Sequence, residues 1–272
     1  MKKILFFSLI AVSLYSCKKT NLDDTNAPDN ISAATKAKIA NLGFGTSNIH
    51  KTEDGYLVEG DILLTDALLN STPTQSLLRI ANNEQYRTTN LVSVGTARTI
   101  TILVSNLGQA FIDGADSAIK RYNALGLKMT FSRLTSGTAD ITILGFNQRA
   151  KGGYITLGSS GFPTNGNPYN TVKMNTNTAA YGTNPSVTYV ASVIQHEVGH
   201  CIGMRHTDYY DRSISCGGTA TNEGASTIGA ILIPGTPSIA TLADGSWMLA
   251  CSSGVDRTFN ANDVVALKAL YQ

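Results

Sequence analysis

His196-Glu197-Val198-Gly199-His200-Cys201-Ile202-Gly203-Met204-Arg205-His206 is the stretch on which the fold and chemistry of this chain turn. On a helix, residues four apart share a face, so His196 and His200 present both imidazoles to one point, as zinc requires. Glu197 stands beside that point, where a carboxylate can act on metal-activated water. Gly203 lets the chain leave the helix at positive φ, and the turn returns His206 as a third ligand. Three protein ligands leave a fourth position open, the mark of a catalytic zinc rather than a structural one. The chain has four histidines, and three of them fall in this stretch. His50 stands alone in a polar segment and is assigned no role. The cofactor expected is one catalytic Zn2+ ion.

Working outward, Asn184-Pro185-Ser186 supplies cap residues for a helix through Val187, Val190, Val193 and Ile194 into the histidines. Upstream, a strand is predicted at Arg98–Ser105, a helix over Gln109–Leu125 stopped by Gly126, and a strand at Leu127–Leu134. Further strands are predicted at Asp140–Leu144, Tyr154–Leu157 and Val172–Asn175, with a loop from Gly161 to Asn170. Nearer the N-terminus, a short helix is predicted at Ile31–Leu42 with Gly43 as its stop, a strand at Tyr56–Leu64 and a short helix near Leu77. A helical pattern closes the chain, from Phe259 to Tyr271. This order indicates an α/β or α+β layer in which the histidine helix packs under a sheet.

The length and composition allow one large domain or two small ones: 272 residues, 42% hydrophobic and 15% charged. Collagen, coiled coil and wholesale disorder are excluded. Lys plus Arg is 21 and Asp plus Glu is 19, with no basic block, so nucleic acid is not an expected partner.

The first residues read as an address. Lys2-Lys3 is followed by an apolar run from Ile4 to Leu14, of signal-peptide length and too short to cross a bilayer as a helix. The run ends in Leu14-Tyr15-Ser16-Cys17, which resembles a bacterial lipoprotein signal with Cys17 as the acylated residue. Lys18 follows that Cys where Asp would mark inner-membrane retention, so the outer membrane is the expected destination. The expected organisation is a signal peptide over 1–16, a tether and propeptide-like region over 17–95, and a catalytic domain over 96–272. The protein is expected to be an exported monomer that meets the membrane only through its lipid.

The extended histidine motif resembles that of the metzincin metallopeptidases. Ser246-Trp247-Met248 is similar to the tight Met-turn that lies beneath the metal in that group. His-Glu-Val-Gly-His-Cys, Arg-His-Thr-Asp, Ser-Cys-Gly-Gly and Ser-Trp-Met-Leu-Ala-Cys together resemble the bacterial dual-action HEIGH metallopeptidases, with Val198 at the Ile of that signature. The resemblance implies a zincin-like domain: a mixed twisted sheet, a long zinc helix, a Met-turn and a C-terminal helix. It also implies a zinc endopeptidase in which Glu197 is the general base and a protein or peptide substrate lies along an edge strand, with Tyr154–Leu157 as the candidate. Astacins carry a Tyr two residues past the Met, where this chain has Ala250. Tyr209 or Tyr210 could stand in for it, and Asp208 could orient a ligand histidine. The alternative class is a surface binding or adhesion lipoprotein on the same scaffold, against which the intact Glu197 argues.

Val58-Glu59-Gly60-Asp61-Ile62 resembles the Phe-x-Gly-Asp motif of astacin propeptides, whose Asp occupies the open metal position. Asp61 is thus a candidate latency ligand, with Arg79 and Arg87 as available activation sites. Three pairings of Cys201, Cys216 and Cys251 are open. Cys216 with Cys251 is the expected one, leaving Cys201 as a buried thiol.

Overall fold

The computed structural model describes residues 29–70, 85–150, 153–224, 228–237 and 245–272. The signal segment with Cys17, the helix expected near Leu77, and Arg79 lie outside the described residues.

Residues 29–70 form a small unit. Ser32 caps helix α1 (Ala33–Asn41) by accepting a hydrogen bond from Thr35 N at 3.0 Å, and Gly43, at φ +86°, lets the chain turn away. Strands β1 (His50–Thr52), β2 (Gly55–Val58) and β3 (Ile62–Leu64) form an antiparallel sheet, followed by a single turn of helix, α2 (Asp66–Leu69). The strand expected over Tyr56–Leu64 is therefore two strands and a turn. Glu59 at φ +56° and Gly60 at φ +95° cannot continue an extended chain, and the turn aims Asp61 away from the sheet. Ile39, Leu42, Phe44, Val58, Ile62 and Leu64 fill this unit's core, which Phe162 and Ile228 complete from the later chain.

The body begins before the expected boundary at 95/96. Strand β4 (Tyr86–Arg87) is bonded on both sides: on one, Arg205 N donates to Tyr86 O at 2.8 Å and Thr88 N donates to Gly203 O at 2.8 Å, and on the other it pairs with Ile231–Leu232. Tyr86 is buried, as is Val92. Arg87 sits in that strand, bridged to Met204, and is not an open cleavage site. The strands β5 (Arg98–Val104), β6 (Met129–Leu134), β7 (Ile141–Phe146), β8 (Gly158–Ser159) and β9 (Thr171–Asn175) make one sheet in the order β6-β5-β7-β9-β8. Four of them run parallel, and the edge strand β8 is antiparallel to β9. Tyr154–Leu157, expected as that edge strand, is instead irregular chain leading into it. Tyr154 is 58% exposed, and Asn175 at the end of β9 holds the segment instead, its Nδ2 donating to Thr156 O and its N to Leu157 O, each at 2.8 Å.

Ile100, Ile102, Ile141, Ile143, Val172 and Met174 point from the sheet into the main core. There they meet α3 (Gln109–Asn123) and, after the short α4 (Thr178–Tyr181), the long α5 (Val187–Ile202). The two helices cross closely because Gly114 has no side chain: a β-carbon there would stand 2.7 Å from Val190 Cγ1. Beyond α5 lie α6 (Ser213–Cys216), β10 (Ile231–Leu232), which pairs with β4, and α7 (Ala261–Tyr271). Asn260 and Asp263 close a reciprocal capping box at the start of α7. The body is thus a mixed five-stranded sheet packed on helices, and its main cluster of buried side chains contains no residue before Leu91 among those described.

Candidate metal centre

Helix α5 is buried from Val190 to Ile202, and its end sets the site. Gly203 follows at φ +108°, where a β-carbon would lie 3.0 Å from Asn90 O. No larger residue could make that turn without displacing the chain at Asn90. The turn carries His206 back toward the helix. Below it, Leu249 N donates to Ser246 O at 3.2 Å, closing a tight turn through Trp247 and Met248. Gly199 lets this turn press against the helix: a β-carbon there would lie 2.4 Å from the Trp247 ring and 2.7 Å from Met248 Sδ.

Each histidine is fixed by its Nδ1. His196 Nδ1 donates to Trp247 O at 2.8 Å, and His200 Nδ1 donates to Met204 O at 2.9 Å. His206 Nδ1 donates to Glu223 Oε1 at 2.9 Å. A carbonyl or carboxylate on Nδ1 forces the proton there and leaves Nε2 a bare lone pair. The three lone pairs converge. His200 Nε2 and His206 Nε2 are 3.2 Å apart, and Asp61 Oδ2 lies 3.3 Å from His196 Nε2 and 3.2 Å from His206 Nε2. Ligand atoms of Asp61, His196, His200 and His206 all lie within 4.8 Å of one another. Four acceptors facing a common point with no donor among them fit a cation, and the three-imidazole, one-carboxylate set suits zinc. Burial, and then the two neighbouring imidazoles, push His200 well below the usual imidazole range and keep it neutral, as a ligand must be.

Glu197 is 1% exposed and is held from the sheet edge. Ser160 Oγ donates to Glu197 Oε2 at 2.8 Å, and Gly158 leaves the space, since a β-carbon there would stand 2.7 Å from Oε1. Burial, and then the Asp61 carboxylate, push Glu197 well above the ordinary carboxylate range.

Asp208 does not orient a histidine. It is fully buried and accepts from Ser215 Oγ at 2.6 Å and from Ala250 N at 2.9 Å, bracing the two loops that the Cys216–Cys251 disulfide joins. The orienting carboxylate is Glu223, from a polar loop where nothing in the local pattern marks it. Burial opposes its charge, but His206 with its hydrogen bond, then Arg212 and Arg205, outweigh that and hold it at about 2. Tyr209 is buried with its ring 4.4 Å from that of Tyr86, a packing role, and Tyr210 lies against Tyr209. Cys201 is a buried free thiol, and Met248 is fully buried under the helix. His50 sits apart from the cluster, 3.1 Å from Asp29.

The N-terminal unit enters the site along the sheet edge. Ser160 N donates to Asp61 O at 3.0 Å, and Leu63 N donates to Ser160 O at 2.8 Å. A cleft opens beside them, with Tyr154, Thr156, His196, Glu197, Arg212 and Val255 among its walls.

A buried three-histidine centre with a carboxylate beside it, at the edge of a mixed sheet, is the equipment of a metal-dependent hydrolase. The profile of the dual-action HEIGH metallo-peptidases matches residues 56–271, and the chain belongs to that family. It is therefore a metallopeptidase, a hydrolase of peptide bonds. Among solved structures, one of myroilysin is 14% identical, covers 68% of this chain and 98% of its own, and superposes with a TM-score of 0.43. A second structure of myroilysin is 16% identical, covers 65% and 86%, and gives 0.39. No curated protein matches the sequence.

Proposed function

We propose that the chain is a zinc endopeptidase kept latent by its own N-terminal unit. In this reading His196, His200 and His206 hold the metal, Asp61 takes the fourth position, and Glu197 is the general base. The observation that carries it is the convergence of those four ligand groups within 4.8 Å, with the Glu197 carboxylate braced beside them. Zinc, when bound, acidifies water and polarises the scissile carbonyl.

The residues supply the rest. Glu197 takes a proton from the attacking water and passes it to the leaving amine. Ser160 and Gly158 hold its carboxylate in place. A substrate peptide takes the main-chain groups of Ser160 that Asp61 and Leu63 now occupy, so it lies along the edge strand. Activation requires this segment to leave. Because residues from Gln85 onward are bonded into the body, cleavage falls between Asn70 and Gln85. Met1–Cys17 directs export, with Cys17 acylated and the enzyme tethered to the outer membrane as a monomer.

The test is cleavage of unfolded casein by the chain lacking residues 1–17, before and after limited proteolysis, with and without a chelator, beside Glu197→Ala. Cleavage that appears on proteolysis, stops with chelator and falls about a thousandfold in Glu197→Ala supports the reading. An inert, metal-loaded and processed protein would return it to a binding module.

A further inference from the structure

Glu59 leaves the same turn as Asp61 but goes elsewhere. Its side chain is 3% exposed, its Oε1 accepts from Gly45 N at 3.1 Å, and its Oε2 lies 3.6 Å from Arg205 Nη2. Arg205 is fully buried, with its guanidinium bonded to Gly229 O at 3.2 Å and Gly224 O at 3.3 Å. The rings of Phe44, Phe162 and Tyr209 surround it at 5.2, 6.0 and 5.8 Å. Arg212 lies in the cleft wall, donates to Glu59 O and stands 3.2 Å from Glu223 Oε1.

Arg205 and Arg212 therefore flank one carboxylate of the body, Glu223, and the N-terminal unit lends Arg205 the Glu59 carboxyl and Arg212 the Glu59 main-chain oxygen. Asp208 is engaged by Ser215 and Ala250 and supplies no direct partner to either. When the segment leaves, Glu59 and Phe44 leave together. One face of Arg205 opens, and both guanidinium groups lose a Glu59 oxygen that they face, which is unfavourable unless another acceptor enters. The present fit is also loose. Glu59 Oε2 and Arg205 Nε, though buried, have no hydrogen-bond partner among the described residues. A carboxylate not constrained by the Glu59–Gly60 turn can come closer.

We propose that Arg205 and Arg212 form a carboxylate-binding subsite, filled here by the chain's own Glu59. In the cleared cleft it takes an acidic side chain of the peptide substrate, two residues from the residue that lies over the metal. The substrate class is thus acidic peptides, and Glu59 is the enzyme's internal stand-in for one. This rests on the latency reading above.

The experiment uses the chain without residues 1–17, carrying Glu59→Gly, which empties the pocket while the segment stays attached. Acetate at about ten times its dissociation constant should raise Tm by roughly 3 °C over chloride of equal ionic strength. Acetamide should not, and Arg212→Met in the same background should abolish the rise. No acetate-specific shift, or one that survives Arg212→Met, overturns the subsite whatever the fate of latency. A second arm compares matched Glu and Gln peptides with the proteolytically activated enzyme. A kcat/KM preference for Glu of about tenfold, lost in Arg212→Met, supports the proposal; equal cleavage overturns it. If the processed enzyme cuts nothing, latency has failed, and the acetate arm still decides the subsite.

Discussion

The stretch His196–His206 and the turn Glu59–Asp61 meet within a few ångströms, yet different physics brings each there. The first is local. Helical periodicity aligns His196 with His200, Gly203 makes the turn, and burial along α5 locks the result. The second is long-range. Asp61 approaches His196 only because the turn between β2 and β3 is left-handed at Glu59 and Gly60 and the chain after it pairs with Ser160 at the edge of the large sheet. A site built locally persists when its neighbours leave, whereas one contributed by a docked segment can be withdrawn. That difference is what the proposed latency requires of the two regions.

The comparison breaks first if the floor beneath the local half is not rigid. Asp263 holds the Ser246–Met248 turn through Ser246 Oγ at 2.8 Å and Trp247 N at 3.2 Å, and Gln85 also donates to it. Burial raises its pKa to about 6 against the hydrogen bonds that favour the charged form. A carboxyl raised in the folded state adds stability below its unfolded value near 4, and that stability is lost as pH rises through about 6. The expected size, from a shift of about two units, is at most ~3 kcal/mol. Asp263→Asn does not titrate, so its Tm relative to the parent should improve from pH 4 to pH 7. A constant difference across that range would show that Asp263 does not couple.

The next effect lies in the metal affinity. Glu223→Gln should weaken zinc about 10–100-fold in a chelator competition, because the partner that fixes His206 loses its charge. Asp208→Asn touches no histidine and should leave the affinity within about twofold. Equal losses in the two variants would undo the assignment of Glu223.

The withdrawable half gives the third prediction. Asp61→Ala should raise the activity of the uncleaved chain by about tenfold, the effect of losing roughly 1.4 kcal/mol of binding at one contact. Glu59, Leu63 and Ser160 still hold the segment, so activity should stay below that of the processed enzyme. Unchanged activity in Asp61→Ala would remove Asp61 as the latch.

The disulfide sharpens the same contrast. Cys216–Cys251 closes a separation of 35 residues across the loops that follow His206 and Met248. Cys216→Ser/Cys251→Ser should lower Tm, by a model-dependent 2–4 kcal/mol in stability at most, with zinc affinity nearly unchanged. A large fall in affinity would mean that these loops help to build the centre.

Much of this was legible in order, because the signals are short-range. Residues 196, 200 and 206 announce a metal by spacing alone, and the helices at Ala33–Asn41, Gln109–Asn123 and Ala261–Tyr271 follow from caps and periodicity. Glu223 was not legible, because an acidic residue in a polar loop has no period, and its partner is distant in the chain. Tyr154–Leu157 reads as a strand by composition, but the edge pairing falls on Gly158–Ser159, where main-chain contact with β9 decides. Sequence by itself determined the metal-binding helix, its turn and the family, since those rest on side-chain type at fixed helical spacing. Only tertiary structure decided which carboxylate orients His206, where the body begins, and that Glu59 and Asp61 enter the site together. Those depend on which distant segments are buried against each other, and neighbours along the chain carry no record of that.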